Sequence, residues 1–152
     1  MKKIITLFVL FLLGINLLQA QQMQRQRIKA LKTSYITNAL NLTPKEAEQF
    51  WPVYNLYTQK IQALKMDSEI STQKQIRLAG GIDYITNEQA KILIAKSLKI
   101  EQQVTDAKIN MVKELSSIIS AKKILLLKKS ERNFNRKMLQ ELGKRRRMMQ
   151  GQ

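Results

Sequence analysis

The chain has 152 residues, with 27 Lys and Arg against 11 Asp and Glu, a formal charge of +16, and neither Cys nor His. That length allows one domain or a small domain with a tail, and five Gly and two Pro are too few for a loop-rich or all-β plan. The missing Cys excludes disulfides, thiolate metal sites, a Cys nucleophile and a lipid-bearing N-terminal Cys, while the missing His excludes a Ser-His-Asp triad, imidazole zinc sites and the usual general base.

Lys2 and Lys3 precede an apolar run from Ile4 to Leu18, and Leu18-Gln19-Ala20 places a small residue before Gln21. Charged, apolar and small in that order is the layout of a cleavable secretory signal, and the run is short of the roughly 20 residues that an anchoring span needs. Residues 1–20 are therefore expected to be removed after Ala20, which leaves 25 basic against 11 acidic residues, a charge of +14. The expected organisation is a signal at 1–20, a helical domain at 21–143 and a basic C-terminal tail at 144–152. Export without Cys means that the fold has to hold by side-chain packing alone.

Past residue 20 the sequence reads as all-α. Ile28, Leu31, Tyr35 and Ala39 recur at three- and four-residue spacing and predict a first helix over Arg27 to Ala39, broken at Asn41-Leu42. Thr43-Pro44-Lys45-Glu46 starts a second. The Thr hydroxyl can accept from a free N–H of the first turn, Glu46 can reach back to the Thr43 N–H, and Pro44 stands where its missing donor costs nothing. Ala47, Phe50, Val53, Tyr54, Tyr57, Ile61 and Leu64 form its stripe, and Pro52 inside it is expected to bend the helix. After Met66 the stripe fades. Asp67 to Gln75 is polar, either an exposed helical extension or a loop, and Gly80-Gly81 ends it.

Ile85-Thr86-Asn87-Glu88-Gln89 repeats the capping pattern with Gln89 in the Glu role. The third helix then holds one phase through Ala90, Leu93, Ser97, Ile100, Val104, Ala107, Met111, Leu115 and Ile118, about 30 residues or roughly 45 Å. It carries a second apolar edge, Ile94, Leu98, Ile109 and Val112, which calls for a partner, either a second subunit or a client protein. Ser120 caps a fourth helix with the stripe Ile124, Leu127, Phe134, Met138 and Leu142; on another face Lys122, Lys129, Arg132 and Arg136 share a phase. Gly143 is expected to loosen this helix before Lys144-Arg145-Arg146-Arg147. Residues 122–147 hold eleven basic and two acidic side chains. The expected core is Leu31, Tyr35, Phe50, Tyr54, Tyr57, Ile61, Leu93, Ile100, Val104, Met111, Leu115, Leu127 and Phe134.

The signal-like start, Leu42-Thr43-Pro44-Lys45-Glu46-Ala47 and Phe50-Trp51-Pro52-Val53-Tyr54 together resemble the Spy/CpxP family of small periplasmic proteins, named for an LTxxQ motif, and within it the branch labelled sensors of extracytoplasmic-function sigma factors. Glu46 stands where the named motif has Gln, and the late copy Ile119-Ser120-Ala121-Lys122-Lys123 has neither Leu, Thr nor Gln. The resemblance implies an elongated, hairpin-like four-helix subunit, paired antiparallel into a cradle-shaped homodimer. It also implies an ATP-independent chaperone for unfolding envelope proteins or a regulator of envelope-stress signalling.

The residues themselves fit a binder better than an enzyme. Mixed basic and apolar surface speeds encounter through charge and holds unfolded segments through apolar contact. Candidates for such a client or partner surface are Lys122, Lys129, Arg132 and Arg136 with Ile94, Leu98 and Val112, although a basic stripe is more often only a solvated face and the second edge of the third helix is more often a dimer contact. Trp51 lies about 100° off its helix's stripe and is either partly exposed or core. A second reading is a sensor that binds one envelope partner. A third is contact of the basic tail with an anionic membrane surface. Nucleic acid is not expected, because the signal removes the chain from the cytoplasm and no DNA-reading module is present. No cofactor is implied, and a specific metal site is not expected, since Met23, Met66, Met111, Met138, Met148 and Met149 are scattered apart from the last pair. The eleven carboxylates lie along charged faces, with no apolar-set pair and no phosphate-binding glycine loop, so no enzyme activity is expected.

Overall fold

The computed structural model describes residues 22–150; the signal-like segment lies outside the described residues. The fold is all-α, with no strand among the described residues. Helix α1 covers 22–40, α2 Pro44–Leu78, α3 Asn87–Leu115 and α4 Ala121–Gln150, and a single 3-10 turn, Ile82–Tyr84, lies between α2 and α3.

Helix boundaries follow local chemistry closely. Asn41 ends α1 with a positive φ of 47°, a left-handed conformation that Asn tolerates better than most side chains, and its N–H bonds the Asn38 carbonyl. Both capping boxes form. The Thr43 N–H donates to Glu46 Oε2 at 2.8 Å while the Glu46 N–H donates to Thr43 Oγ1 at 3.3 Å, and the Thr86 and Gln89 pair repeats this at 3.0 and 3.2 Å. Helix α2 runs without interruption through Pro52 and through the polar stretch, so Asp67 to Gln75 is an extension of the helix rather than a loop. It stops at Gly80 and Gly81. The Gly80 N–H bonds the Arg77 carbonyl and the Gly81 N–H the Ile76 carbonyl, a pairing that requires the positive φ of 91° at Gly80.

The chain divides into two compact units. The first comprises α1 and α4 from Leu125 onward; the second is residues 42–124, the α2–α3 hairpin with the opening turn of α4. In the hairpin unit, Phe50, Tyr54 and Tyr57 of α2 and Leu93, Val104, Ala107 and Leu115 of α3 are buried, with Ile61, Ile100 and Met111 half-buried. Ile119 and Ile124 are buried beside them in the sequence after α3.

The α1–α4 unit corrects part of the expected core. Leu31 is 55% exposed, and Ile28 and Ala39 are exposed as well, whereas Ile36 and Leu40 are fully buried at 0% and 1%. The buried stripe of α1 is thus turned by one residue, about 100°, from the expected one. Tyr35 sits on the border, half-buried, with its ring 5.7 Å from Phe134. On α4, Leu127, Ser130 and Phe134 are buried and Met138 half-buried, but Leu142 is exposed, so the expected stripe ends one turn early. Gly143 does not break α4, and residues 144–150 continue the same helix.

Candidate interaction surfaces

The motif residues converge on one structural feature. Glu46, the third residue of α2, accepts from its own cap and also from Lys123, whose Nζ lies 2.9 and 2.7 Å from the two carboxylate oxygens. Lys123 occupies the third position of α4, where a capping box would carry Glu or Gln. The Ser120 hydroxyl still accepts from the Lys123 N–H at 3.4 Å, but the Lys side chain reaches the carboxylate of the first cap instead of its own. The departure of the late copy from the motif is therefore an ion pair between two helix starts. The Lys123 amine and then the Thr43 N–H hold the Glu46 carboxyl below its ordinary value of 4.5, against the opposing pull of burial. Sequence reading placed Lys123 in the third copy without assigning it a partner; a Lys where a capping carboxylate belongs was the signal.

Behind this cap, Phe50, Trp51 and Tyr54 form an aromatic cluster. Phe50 stacks on Tyr54 with centroids 5.4 Å apart, and Trp51 stands edge-on to both at 5.0 and 5.5 Å. Leu42 and Trp51 are half-buried, and Thr43, Pro44 and Pro52 exposed. Farther along the hairpin the Tyr57 hydroxyl donates to the Glu114 carboxylate, which, with burial, pushes the Tyr57 pKa above its ordinary value of 10.0. Lys96 Nζ reaches Ser71 Oγ at 2.7 Å, tying α3 to the polar part of α2. The motif is thus structural in its geometry, a cap, an ion pair and packed rings.

Surface on the hairpin falls into three parts. The second edge of α3 is open, with Ile94 and Leu98 each 60% exposed, Ile109 exposed and Val112 half-buried. A groove of about 580 Å³ runs between α2 and α3 where Ser68 and Thr72 oppose Ile100 and Val104; small hydroxyl side chains leave space that larger apolar ones would fill. The hairpin end is a third patch, with Leu78, Ile82 and Tyr84 exposed around the Gly-Gly turn. Sequence reading missed it, although apolar residues beside a glycine turn are a readable sign.

The basic candidates are all solvent-facing. Lys129, Arg132 and Arg136 are exposed on α4 in the α1–α4 unit, and Lys122 is exposed on its first turn. Lys122, Ile94, Leu98 and Val112 belong to the hairpin unit, so the candidate surface named from sequence is split between the two units. Among the described residues no group of three or more Asp or Glu is placed to hold a metal ion, and no helix is long and apolar enough to cross a membrane. No protein-family model, curated protein or solved structure matches this chain, so the Spy/CpxP resemblance stands on its motif residues alone.

Proposed function

We propose that this chain is an ATP-independent, chaperone-like binder of unfolded or partly folded proteins in the bacterial envelope, exported by the segment 1–20 and working as a homodimer in a cradle-like arrangement. The observation that carries this reading is the open apolar edge of α3. Ile94, Leu98 and Ile109 recur along one side of a 29-residue helix whose opposite side fills the hairpin core, and Lys108 and Lys113 flank them in exposed positions. An apolar edge with cations beside it can hold apolar segments of many sequences while charge accelerates their encounter. Nothing in that chemistry requires ATP or a cofactor.

The test is aggregation suppression. An unrelated protein is diluted from denaturant with and without this chain, in the absence of nucleotide, and light scattering is followed. Suppression that is lost in Ile94→Ser with Leu98→Ser supports the reading. Absence of suppression at several-fold excess removes it, and leaves the sensor reading, in which the same edge engages one envelope partner. Sedimentation of the protein alone reports whether it is a dimer.

A further inference from the structure

The positive charge of this protein is not evenly shared between its two compact units. The described part of the α1–α4 unit, residues 22–41 and 125–150, holds thirteen Lys and Arg against two Glu. The hairpin unit, nearly twice as long, holds twelve against nine. Residues 22–41 contain no carboxylate at all. Both Glu of the α1–α4 unit are engaged, Glu131 with Lys32 at 4.0 Å and Glu141 with Lys144 at 3.2 Å. Neither therefore offsets the cations on the outer side of α4.

That outer side carries cations toward both ends of α4. Lys128, Lys129, Arg132, Arg136, Arg146 and Arg147 are all exposed, and at 100° per residue they fall within one broad face opposite the buried Leu127 and Phe134. From Lys128 to Arg147 this face is about 29 Å long. Leu139 lies within it between Arg136 and Arg146, and Leu125, three residues before Lys128, extends it toward the start of α4; they are 70% and 68% exposed, where nothing in the unit's own core requires them. On α1, Arg25, Arg27 and Lys29 are exposed too.

We infer that the α1–α4 unit docks on an anionic lipid bilayer through the outer face of α4. This proposal concerns a different unit from the protein-binding edge of α3 and does not depend on it. The charge calls for a polyanion, and the two leucines decide which. Leucines on the same helix face as cations suit the headgroup boundary, where apolar side chains bury in the acyl edge while Lys and Arg meet lipid phosphates. A single-stranded nucleic acid would call for exposed rings on which bases stack, and the phosphates of a duplex would leave the two leucines without a partner. The aromatic side chains of the unit's described residues are Tyr35 and Phe134, which are half-buried and buried against each other.

The experiment is flotation of the full chain with phosphatidylcholine vesicles, with and without phosphatidylglycerol; the neutral vesicles read out whatever residues 1–20 contribute. Each cation near an anionic surface is worth about fivefold in affinity, so Lys129→Gln, Arg132→Gln and Arg136→Gln together weaken binding to anionic vesicles about a hundredfold. Lys60→Gln, Lys74→Gln and Lys99→Gln remove the same charge from exposed positions of the hairpin unit and weaken it less than about threefold, because the proposed docking gives these lysines no lipid contact and charges that make none are screened. Leu125→Ser with Leu139→Ser reduces the binding that survives at high salt. If the triple α4 variant fails to fold by circular dichroism, Arg146→Gln with Arg147→Gln replaces it, with a loss of about twentyfold. Equal weakening by the α4 and hairpin variants overturns the proposal. So does equal binding to neutral and anionic vesicles, or binding to a single-stranded oligonucleotide that is tighter than to vesicles and unaffected by the leucine changes.

Discussion

Ile36→Ala set against Leu31→Ala tests the rotational setting of α1, the point at which structure and periodicity part. Ile36 has no exposed surface, and Leu31 retains more than half of its own. Truncating Ile36 removes three buried carbons, about 2.4 kcal/mol at ~0.8 kcal/mol per methylene, before any cavity is counted. The unfilled space raises this toward the 2–5 kcal/mol typical of buried Ile→Ala changes. Leu31→Ala removes carbons that are already largely in water, at a site where Ala is at least as good a helix former, so its cost stays below about 1 kcal/mol. Urea titration followed by far-ultraviolet circular dichroism separates them. With a slope of about 2 kcal/mol per molar, Ile36→Ala lowers the midpoint by about 1 M or more, and Leu31→Ala by less than half of that. Equal shifts, or a larger shift for Leu31→Ala, would refute the assigned buried face of α1. Amide exchange over residues 22–40 gives the same comparison locally, should the two units unfold separately.

Three further outcomes follow from the hairpin unit. Leu115→Ala, at a fully buried position near the end of α3, costs about 2–5 kcal/mol in the same titration, and an unchanged midpoint would show that this part of the stripe faces solvent. Thr86→Ala removes the acceptor of the Gln89 N–H and frees the start of α3, with an expected loss of about 0.5–2 kcal/mol; Thr86→Ser retains the bond and most of the stability. Because the Glu46 pKa is depressed in the folded state, its contribution is complete above the unfolded value near 4.5 and is lost as pH falls through the lower folded value. Melting temperature therefore drops on acidification below about pH 4.5, more steeply in the parent than in Glu46→Gln. Identical acid profiles for the two proteins would remove the Lys123 pair from the account.

A cap joined to a cap is an economical way to fix where helices begin. The Glu46–Lys123 pair is only about a fifth exposed at each end, so it is shielded from solvent more than most surface pairs. Its partners lie 77 positions apart, yet each is the third residue of its own helix. The residues that resemble a family signature thus bring the start of α4 to the start of α2, and the open surfaces lie elsewhere, on the α3 edge, the hairpin end and α4.

The helical class, the starts of α2, α3 and α4 and the stop at Gly80 were all legible in the sequence. Each is a short-range event, a hydroxyl three residues from an N–H or a glycine where φ must be positive, and so is encoded within a few residues. The buried face of α3 was equally legible, since eight positions from Ala90 to Leu115 in a single phase leave one direction for the core; Ile118, expected to continue the stripe, lies in the turn after the helix. Helix α1 was not. Over so short an apolar pattern, Ile28-Leu31-Tyr35 and Ile36-Leu40 are rival stripes of similar quality, and only tertiary packing, in which Tyr35 meets Phe134 of α4, selects between them. The polar run Asp67 to Gln75 has no stripe of its own and is helical because α3 lies alongside it, with Lys96 bonded to Ser71. Lys123 belongs with these. Its type and position are plain in the chain, but a lysine has a reach of several ångströms in many directions, and its carboxylate partner exists only once two distant helix starts have been brought together.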